Sequence, residues 1–343
     1  MKPLDRNHVH RICLRATNWI GDAVMTTPAM GALRSSFPAA EIVVVANPLV
    51  ADLFRHHPFC DRVLVYDRKK THRGLGGLLR FVAELRRERF DLAILLQNAI
   101  EAALLVFLAG IPRRAGYRTD GRRLLLTHGV AVGEPERRLH HTAYYLTMLK
   151  ALGIEGGDGC LRLACTDEEI AWANAALGAG SFVAVNPGAA YGSAKRWIPE
   201  RFAAVADRLA EEFGLRVVLT GGPGEAEIGR DIAAAMKNAP LNLIGSTSVR
   251  QMMAVLSLCR LMVTNDSGPM HVAAAFGIPI VAVFGPTDHT TTSPLAGTCR
   301  IVRREADCAP CLLRQCPTDH RCMEAVTVDD VLTAARSLLG GVR

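Results

Sequence analysis

The 343-residue sequence lacks the motifs of several common nucleotide and metal sites, and aromatic residues make up only 6% of it. It contains neither the dinucleotide-binding turn G-x-G-x-x-G nor the P-loop pattern G-x-x-x-x-G-K-[ST]. It also offers no D-x-D carboxylate pair at the end of a predicted strand. These absences argue against a nicotinamide enzyme, and we expect neither a cofactor nor a catalytic metal.

Long hydrophobic runs are missing as well. The most apolar stretch, residues 99–110, spans about 12 residues and includes Glu101, which is too short for a bilayer core of about 30 Å. No apolar stretch precedes the first predicted strand, so we expect no signal peptide and a cytoplasmic protein. The ten cysteines are then expected to be mostly reduced thiols.

What is present is a repeated alternation of short apolar runs and helical segments. Half of the residues are hydrophobic and 21% are charged, which excludes a disordered chain. One series of strands and helices starts at residue 11, and a second starts after the glycine-rich segment 156–159. Alternation of this kind predicts parallel sheets covered by helices. We therefore expect two α/β Rossmann-like domains, residues 1–160 and 161–343, and leave open whether the last helix packs on the first domain.

The positive charge is concentrated in the first domain. The formal net charge is +7, with +9 in residues 1–165 and −2 in the remainder. This asymmetry predicts an anionic partner for the first domain: nucleic acid, a membrane surface or a phosphorylated or carboxylated substrate. The scarcity of aromatic residues argues against a single-stranded nucleic-acid platform.

Ligands of such sheets bind beyond the carboxyl ends of the strands, so the loops there are the candidate sites. Asp22 follows the first predicted strand in the segment NWIGD and precedes a helix. One interpretation is that Asp22 caps this helix. The other is that its carboxylate serves as a general base at the edge of the sheet.

Three loops of the second domain have the composition of a phosphate and ribose site. Residues 186–197 form a small-residue loop that ends in two cations, Lys195 and Arg196, before a helix, and the Lys195 ammonium is suited to a phosphate. The glycine-rich loop 221–224 precedes Glu225 and Glu227, acids of the kind that bridge ribose hydroxyls. The segment 265–271 brings Ser267 and Gly268 to the start of a helix, where free N–H groups bind anions.

Four cysteines and one histidine lie within 15 residues near the end of the chain, namely Cys308, Cys311, Cys316, His320 and Cys322. The spacing resembles that of zinc ligands, but a paired C-x-x-C…C-x-x-C pattern is incomplete. Reduced thiols in a loop are therefore favoured over a structural zinc ion.

Four segments occur in an order that resembles the bacterial ADP-heptose:lipopolysaccharide heptosyltransferases, glycosyltransferase family 9. They are NWIGDAVMTTPAMGALR, NPGAAYGSAKRWIPERF, GGPGE and TNDSGPMHVAAAFGIPIVAVFGPTD. The NWIGD and AKRW forms are most similar to the heptosyltransferase II group. The resemblance implies a GT-B fold, in which two Rossmann-like domains face each other across a cleft. It implies inverting transfer of L-glycero-D-manno-heptose from ADP-heptose to the first heptose of a lipid A–Kdo–heptose acceptor.

The resemblance also implies roles for individual residues. Asp22 matches the family's base, and Lys195 matches its phosphate-binding lysine. The remaining donor-binding positions are Glu225 at the ribose, with Glu227 as its alternative, and Asp266, Ser267, Gly268 and His271.

The acceptor carries carboxylates and phosphates, which suits the basic first domain. We expect Arg113, Arg114, Arg118 and Arg122, together with the basic segment 68–73, to bind it. A peripheral location on the inner face of the inner membrane and no nucleic-acid partner are also expected. The alternatives are heptosyltransferase I or III, another GT-B enzyme such as a sugar-nucleotide epimerase, and a basic binding protein without activity.

Overall fold

The computed structural model describes residue 4 and residues 8–340, and its contacts divide the chain after Ala164 into two units. Each unit contains one six-stranded sheet in which every pair of neighbouring strands is parallel. The expected α/β class with two Rossmann-like units is confirmed. Within the described residues, no helix is both long enough and apolar enough to cross a membrane.

The first unit is built on short, apolar and mostly buried strands. They are β1 (Arg11–Arg15), β2 (Glu41–Ala46), β3 (Arg62–Val65), β4 (Leu92–Leu95), β5 (Arg113–Tyr117) and β6 (His128–Val130), in the sheet order β3-β2-β1-β4-β5-β6. Its helices are α1 (Ile20–Met25), α2 (Thr27–Ser36), α3 (Pro48–Phe54), α4 (Gly74–Glu88), α5 (Ile100–Leu108), α6 (Glu134–Arg137) and α7 (His141–Ala151). A 3₁₀ turn covers Arg122–Leu125.

The second unit repeats the plan. Its strands are β7 (Phe182–Asn186), β8 (Arg216–Leu219), β9 (Leu241–Asn242), β10 (Cys259–Asn265), β11 (Ile280–Val283) and β12 (Cys299–Val302), in the order β12-β11-β10-β7-β8-β9. Its helices are α8 (Asp167–Leu177), α9 (Pro199–Phe213), α10 (Ala226–Ala235), α11 (Val249–Ser257), α12 (Gly268–Ala275), α13 (His289–Thr292), α14 (Arg321–Glu324) and α15 (Val328–Leu339). Ser193–Lys195 and Pro223–Glu225 form 3₁₀ turns.

Both sheets reverse their strand order at one point, between β1 and β4 in the first unit and between β7 and β10 in the second. Helices on such sheets diverge there, and the resulting crevice beyond the carboxyl ends of the strands is where ligands bind. The first candidate loop of each unit, which follows β1 or β7, therefore begins at this reversal. The loops after β4 and β10 lie beside it.

Two details differ from expectation, and a third answers a question that the sequence left open. The sequence predicts one helix over residues 23–36, but the structure has two, α1 and α2. Pro28 lies in the first turn of α2, and the hydroxyl of Thr26 donates to the Ala23 carbonyl. Strand β12, at the edge of its sheet, was not predicted. The last helix, α15, packs against α9, β10, β11 and β12 of its own unit, where Val331, Leu332 and Ala335 are fully buried.

Candidate functional site

Asp22 lies at the carboxyl edge of the first sheet, in the first turn of α1. The residue that caps this helix is Trp19, and Asp22 is the third residue inside it. The interpretation of Asp22 as the helix cap is therefore wrong, because a cap residue lies outside the first helical turn. The carboxylate is partly exposed, with 32% of its side-chain surface accessible to solvent.

Helix α7 supplies the neighbours of this carboxylate. The ring nitrogen Nδ1 of His141 lies 3.4 Å from Oδ1 of Asp22. One turn further along the same helix, burial raises the pKa of Tyr145, and the nearby negative charge of Asp22 raises it further. Sequence reasoning did not identify either partner, which lie more than 100 residues from Asp22.

Arg113 and Arg114 begin β5, so they lie at the amino end of that strand. All strands of the sheet are parallel, and five residues of strand span roughly 16 Å. The pair is thus at the opposite edge of the sheet from the loop after β1. Arg114 is also engaged there, because its guanidinium donates to the carbonyls of Leu125 and Ile111 and stacks on Phe107. The prediction that this pair binds the acceptor conflicts with its position.

Arg122 is fully buried. Its guanidinium donates to the carbonyls of Tyr117 and Gln97 and to the side-chain oxygen of Asn98, the last at 2.7 Å. Burial lowers its pKa. Arg122 therefore holds the loop after β4 in place, and an acceptor has no access to its guanidinium in this conformation.

The remaining basic residues lie at the carboxyl edge of the sheet. Arg118 directly follows β5 and is exposed, with its Nε donating to the Gly129 carbonyl at 2.7 Å. The loop after β3 contains the exposed residues Arg68, Lys69, Lys70 and Arg73. Of these, Arg68 forms an ion pair with Glu101 at 2.6 Å, with most of its side chain still exposed.

In the second unit, Lys195 and Asp266 come together at the reversal point of the sheet. The Lys195 ammonium lies 2.6 Å from Oδ2 of Asp266, and both side chains are largely buried, with 14% and 5% accessible. The same oxygen accepts a hydrogen bond from the hydroxyl of Thr287 at 2.6 Å. Lys195 is also 5.2 Å from the centre of the Tyr191 ring. The ammonium also donates to the Asp266 carbonyl at 3.4 Å, so one of its three N–H groups remains for a further anion.

The start of helix α12 is close to this ion pair in sequence and in the fold. Ser267 is its cap residue, but the hydroxyl makes no capping bond to the helix and instead contacts Asn186 and Thr264, each at 3.1 Å. The N–H of Gly268, the first residue of α12, is not bonded by the Ser267 side chain and lies at a helix start, where anions bind. Pro269 has no N–H, and the N–H of Met270 donates to the Ser267 carbonyl at 3.2 Å. His271 is 3% exposed, in the second turn of the same helix.

Glu225 ends the 3₁₀ turn after β8, where its Oε2 accepts a hydrogen bond from the N–H of Gly222 at 2.7 Å. Its carboxylate lies so close to the loop after β7 that a Cβ on Gly188 would be 1.8 Å from Oε1. Glu227 is exposed in the first turn of α10. Glu225, and not Glu227, thus has its carboxylate among the loops that carry the other predicted donor residues.

The cysteine-rich loop packs on the loop that carries Lys195. The Tyr191 hydroxyl donates to the Leu312 carbonyl at 2.8 Å, and the N–H of Ala194 donates to the Arg314 carbonyl at 3.0 Å. His320 Nε2 lies 2.7 Å from the Ala194 carbonyl oxygen. In the part of the chain that the structure describes, no three His, Cys, Asp or Glu side chains are arranged to hold a metal ion.

Comparison with known proteins identifies the family. Residues 78–321 match the family described as Glycosyltransferase family 9 (heptosyltransferase). Lipopolysaccharide heptosyltransferase 2 of Escherichia coli K12 is 30% identical over 313 residues, which cover 85% of this chain and 88% of that protein. Lipooligosaccharide heptosyltransferase 2 of Campylobacter jejuni serotype O:6 is 26% identical over 338 residues, 96% of this chain and 99% of that one.

A solved structure agrees with these relatives. The E. coli ADP-heptose lps heptosyltransferase II structure is 27% identical, covers 96% of this chain and 98% of its own, and superposes with a TM-score of 0.81. The expected GT-B fold and glycosyltransferase activity are confirmed, and the similarity to heptosyltransferase 2 proteins over most of the chain supports heptosyltransferase II function. The chain belongs to glycosyltransferase family 9, the heptosyltransferases.

Proposed function

We propose that this chain transfers L-glycero-D-manno-heptose from ADP-heptose to the first heptose of a lipid A–Kdo–heptose acceptor, with inversion at the anomeric carbon. The observation that carries the proposal is a cluster in the second unit that suits a sugar-nucleotide donor. In it Lys195, Asp266 and the start of α12 meet at the reversal point of the sheet. The family and the heptosyltransferase 2 relatives supply the identity of the sugar.

The diphosphate of the donor is assigned to the Lys195 ammonium and the N–H groups of this cluster. Lys195 and the first turn of α12, at Ser267 and Gly268, neutralise its charge. Asp266 holds the Lys195 ammonium, and His271 lies on the same short helix. Glu225 accepts hydrogen bonds from the ribose hydroxyls, a role that carboxylates fulfil in other nucleotide sites.

Asp22 is assigned as the general base. Its carboxylate is partly exposed at the carboxyl edge of the first sheet. A single displacement inverts the anomeric carbon: the acceptor oxygen forms the new glycosidic bond, the bond to the diphosphate breaks, and ADP leaves with that electron pair. The hydroxyl proton passes to the Asp22 carboxylate.

The acceptor's carboxylates and phosphates are assigned to the basic residues at the same edge of the sheet. These are Arg118 and the exposed loop after β3, with Lys69, Lys70 and Arg73. Arg113 and Arg114 are left out because they lie at the amino end of β5, and Arg122 because it is buried.

The same surface supports a peripheral position on the inner face of the inner membrane. Next to the basic loop, Leu75 and Leu79 lie four residues apart on α4 and are 73% and 52% exposed. Positions four apart share a helix face. Cations beside exposed leucines suit the surface of a membrane with anionic lipids.

The decisive experiment is heptose transfer by the purified protein from ADP-heptose to two acceptors, lipid A–Kdo and lipid A–Kdo–heptose. We expect product only with the acceptor that already contains heptose, an inverted anomeric configuration by NMR, and full activity in a chelator. Product only with lipid A–Kdo would make the chain a heptosyltransferase of type I. Release of free sugar without any acceptor would replace the transferase with an epimerase-like activity.

A further inference from the structure

The histidine that faces Asp22 has a local environment unlike that of its chain neighbour. His140 is the cap residue of α7, and its Nδ1 accepts a hydrogen bond from the N–H of Thr142 at 3.2 Å. His141 is the first residue of the helix, and its Nδ1 is directed instead at Oδ1 of Asp22, 3.4 Å away. The His140 imidazole therefore caps α7, whereas the His141 imidazole does not.

Nδ1 of His141 is buried, and among the described residues no group makes a hydrogen bond of ordinary geometry to it. A buried polar atom without a partner destabilises a fold, so such atoms mark a strained site or one that awaits a partner. The Asp22 carboxylate lies just beyond the usual hydrogen-bond length of about 3.2 Å. Catalytic hydrogen bonds are often long in a protein without substrate and shorten in the reactive complex.

Helix α7 flanks Asp22 with two side chains on one face. His141 and Tyr145 are four residues apart. Tyr145 is 7% exposed, and its pKa is raised by this burial and also by the negative charge of Asp22. The rest of the His141 side chain remains accessible at 40%. One edge of the carboxylate is thus enclosed by α7, while 32% of the Asp22 side chain stays open to solvent.

We propose that His141 is a positioning residue for Asp22: its Nδ1–H donates to Oδ1 and holds the carboxylate so that Oδ2 is presented to the acceptor hydroxyl. The proposal rests on the assignment of Asp22 as the base. Both the Nδ1-protonated neutral tautomer and the imidazolium carry this N–H, so the contact does not require a charged histidine. A hydrogen bond to Oδ1 restricts rotation of the carboxylate and therefore keeps Oδ2 directed at the acceptor hydroxyl.

The test is a pair of His141 variants measured in two backgrounds. In the otherwise unchanged protein, we expect His141→Leu to lower kcat by about 10- to 100-fold and to leave the donor KM unchanged, because misplacing a reacting group by about 1 Å costs that much. His141→Asn retains an N–H donor close to the position of Nδ1, and we expect it to restore most of kcat. With Asp22→Asn, we expect His141→Leu to change kcat by less than about twofold, because the two residues act as one unit.

His140→Leu is the matched control. It removes the neighbouring imidazole and the cap of α7, so it is expected to lower Tm and to retain kcat. An equal loss of kcat in His140→Leu, or a loss in His141→Leu that is the same in both backgrounds, would overturn the proposal in favour of a purely structural role for His141. Normal kcat in His141→Leu would overturn it as well. Normal kcat in Asp22→Asn alone would instead remove the base assignment on which it rests.

Discussion

The ammonium of Lys195 and the carboxylate of Asp266 form an ion pair with a separation of 2.6 Å at the point where the second sheet reverses its strand order. The pair joins the loop after β7 to the loop after β10, the two loops that a ligand would contact there. Both residues are predicted to bind the ADP-heptose donor, and each fixes the other before ADP-heptose binds. A pre-positioned cation loses less side-chain entropy when it binds a phosphate.

We predict that Lys195→Ala weakens ADP binding at least about tenfold, because a charge-assisted hydrogen bond contributes about 1.5–3 kcal/mol. The variant should also unfold at a lower temperature, since Asp266 remains buried without its partner. Isothermal titration with ADP and thermal unfolding measure the two effects. Unchanged ADP affinity would remove Lys195 from the diphosphate site.

Gly188→Ala tests the position of Glu225 without altering its charge. The added Cβ would lie 1.8 Å from Oε1 of Glu225, and the flexible carboxylate is the group that must move. We therefore predict a small change in Tm and a clear rise in the donor KM, similar to that of Glu225→Gln. Gly192→Ala is the contrasting variant, because its Cβ would meet the Arg314 carbonyl at 2.1 Å, and it should mainly lower Tm. A Gly188→Ala protein with an unchanged donor KM would argue against Glu225 at the ribose.

The fold could be predicted from the sequence because most of the strands are short apolar runs that alternate with helical segments. Strand β12 escaped prediction because Cys299–Val302 places Arg300 between apolar residues at the sheet edge. The helical run after β1 gave no sign of its break apart from Pro28, which is acceptable in a helix's first turn.

Site residues close to a strand end could be predicted, whereas partners from distant parts of the chain could not. The contact of His141 with Asp22 depends on how α7 packs against α1, which no local pattern reports. The position of Arg113 and Arg114 could have been predicted, because both stand directly before the apolar end of a short strand-like run, residues 115–117, and therefore at its amino end. The burial of Arg122 could not have been predicted, since it depends on carbonyl acceptors from β5 and the loop after β4.

Charge reversal at the two ends of β5 separates acceptor binding from general electrostatics. We predict that Arg118→Glu raises the acceptor KM about tenfold or more and leaves the donor KM unchanged. Arg113→Glu makes the same charge change at the opposite end of the strand and should have little effect on either KM. Added salt should weaken acceptor use by the unaltered protein, since exposed charges are screened over about 8 Å at physiological ionic strength. Equal effects of both variants would mean that net charge alone matters.

Cys316 is predicted to be the first cysteine of its loop to be alkylated near neutral pH. The hydroxyl of Thr318 lies 3.5 Å from its sulfur, and this hydrogen bond lowers the pKa of the thiol. A lower pKa increases the thiolate fraction at any pH below it, and the thiolate is the reactive form. Burial raises the pKa of Cys259 to about 12, so this thiol should react only after unfolding. Iodoacetamide labelling followed by peptide mass spectrometry gives the order in which the cysteines are alkylated. Rapid labelling of Cys259 in the folded protein would contradict the prediction.

Asp22→Asn distinguishes a base from a residue that only stabilises its helix. The substitution keeps the shape of the side chain and removes its negative charge and its ability to take a proton. As the third residue of α1, Asp22 favours the helix dipole by about 0.3–1 kcal/mol, so a purely structural role predicts a slightly lower Tm and near-normal turnover. A general base typically contributes 10²–10⁴-fold to the rate.

We therefore predict that Asp22→Asn lowers kcat at least about a hundredfold, while ADP affinity and the folded state are retained. Single-turnover measurements at saturating donor and acceptor report this loss without interference from product release. Asp22→Glu is a useful companion, because it keeps the carboxylate but extends it by one methylene and should recover only part of the rate. If Asp22→Asn transferred heptose at the normal rate, the proton would have to leave through another group, and the open carboxylate at the edge of the first sheet would have no catalytic task.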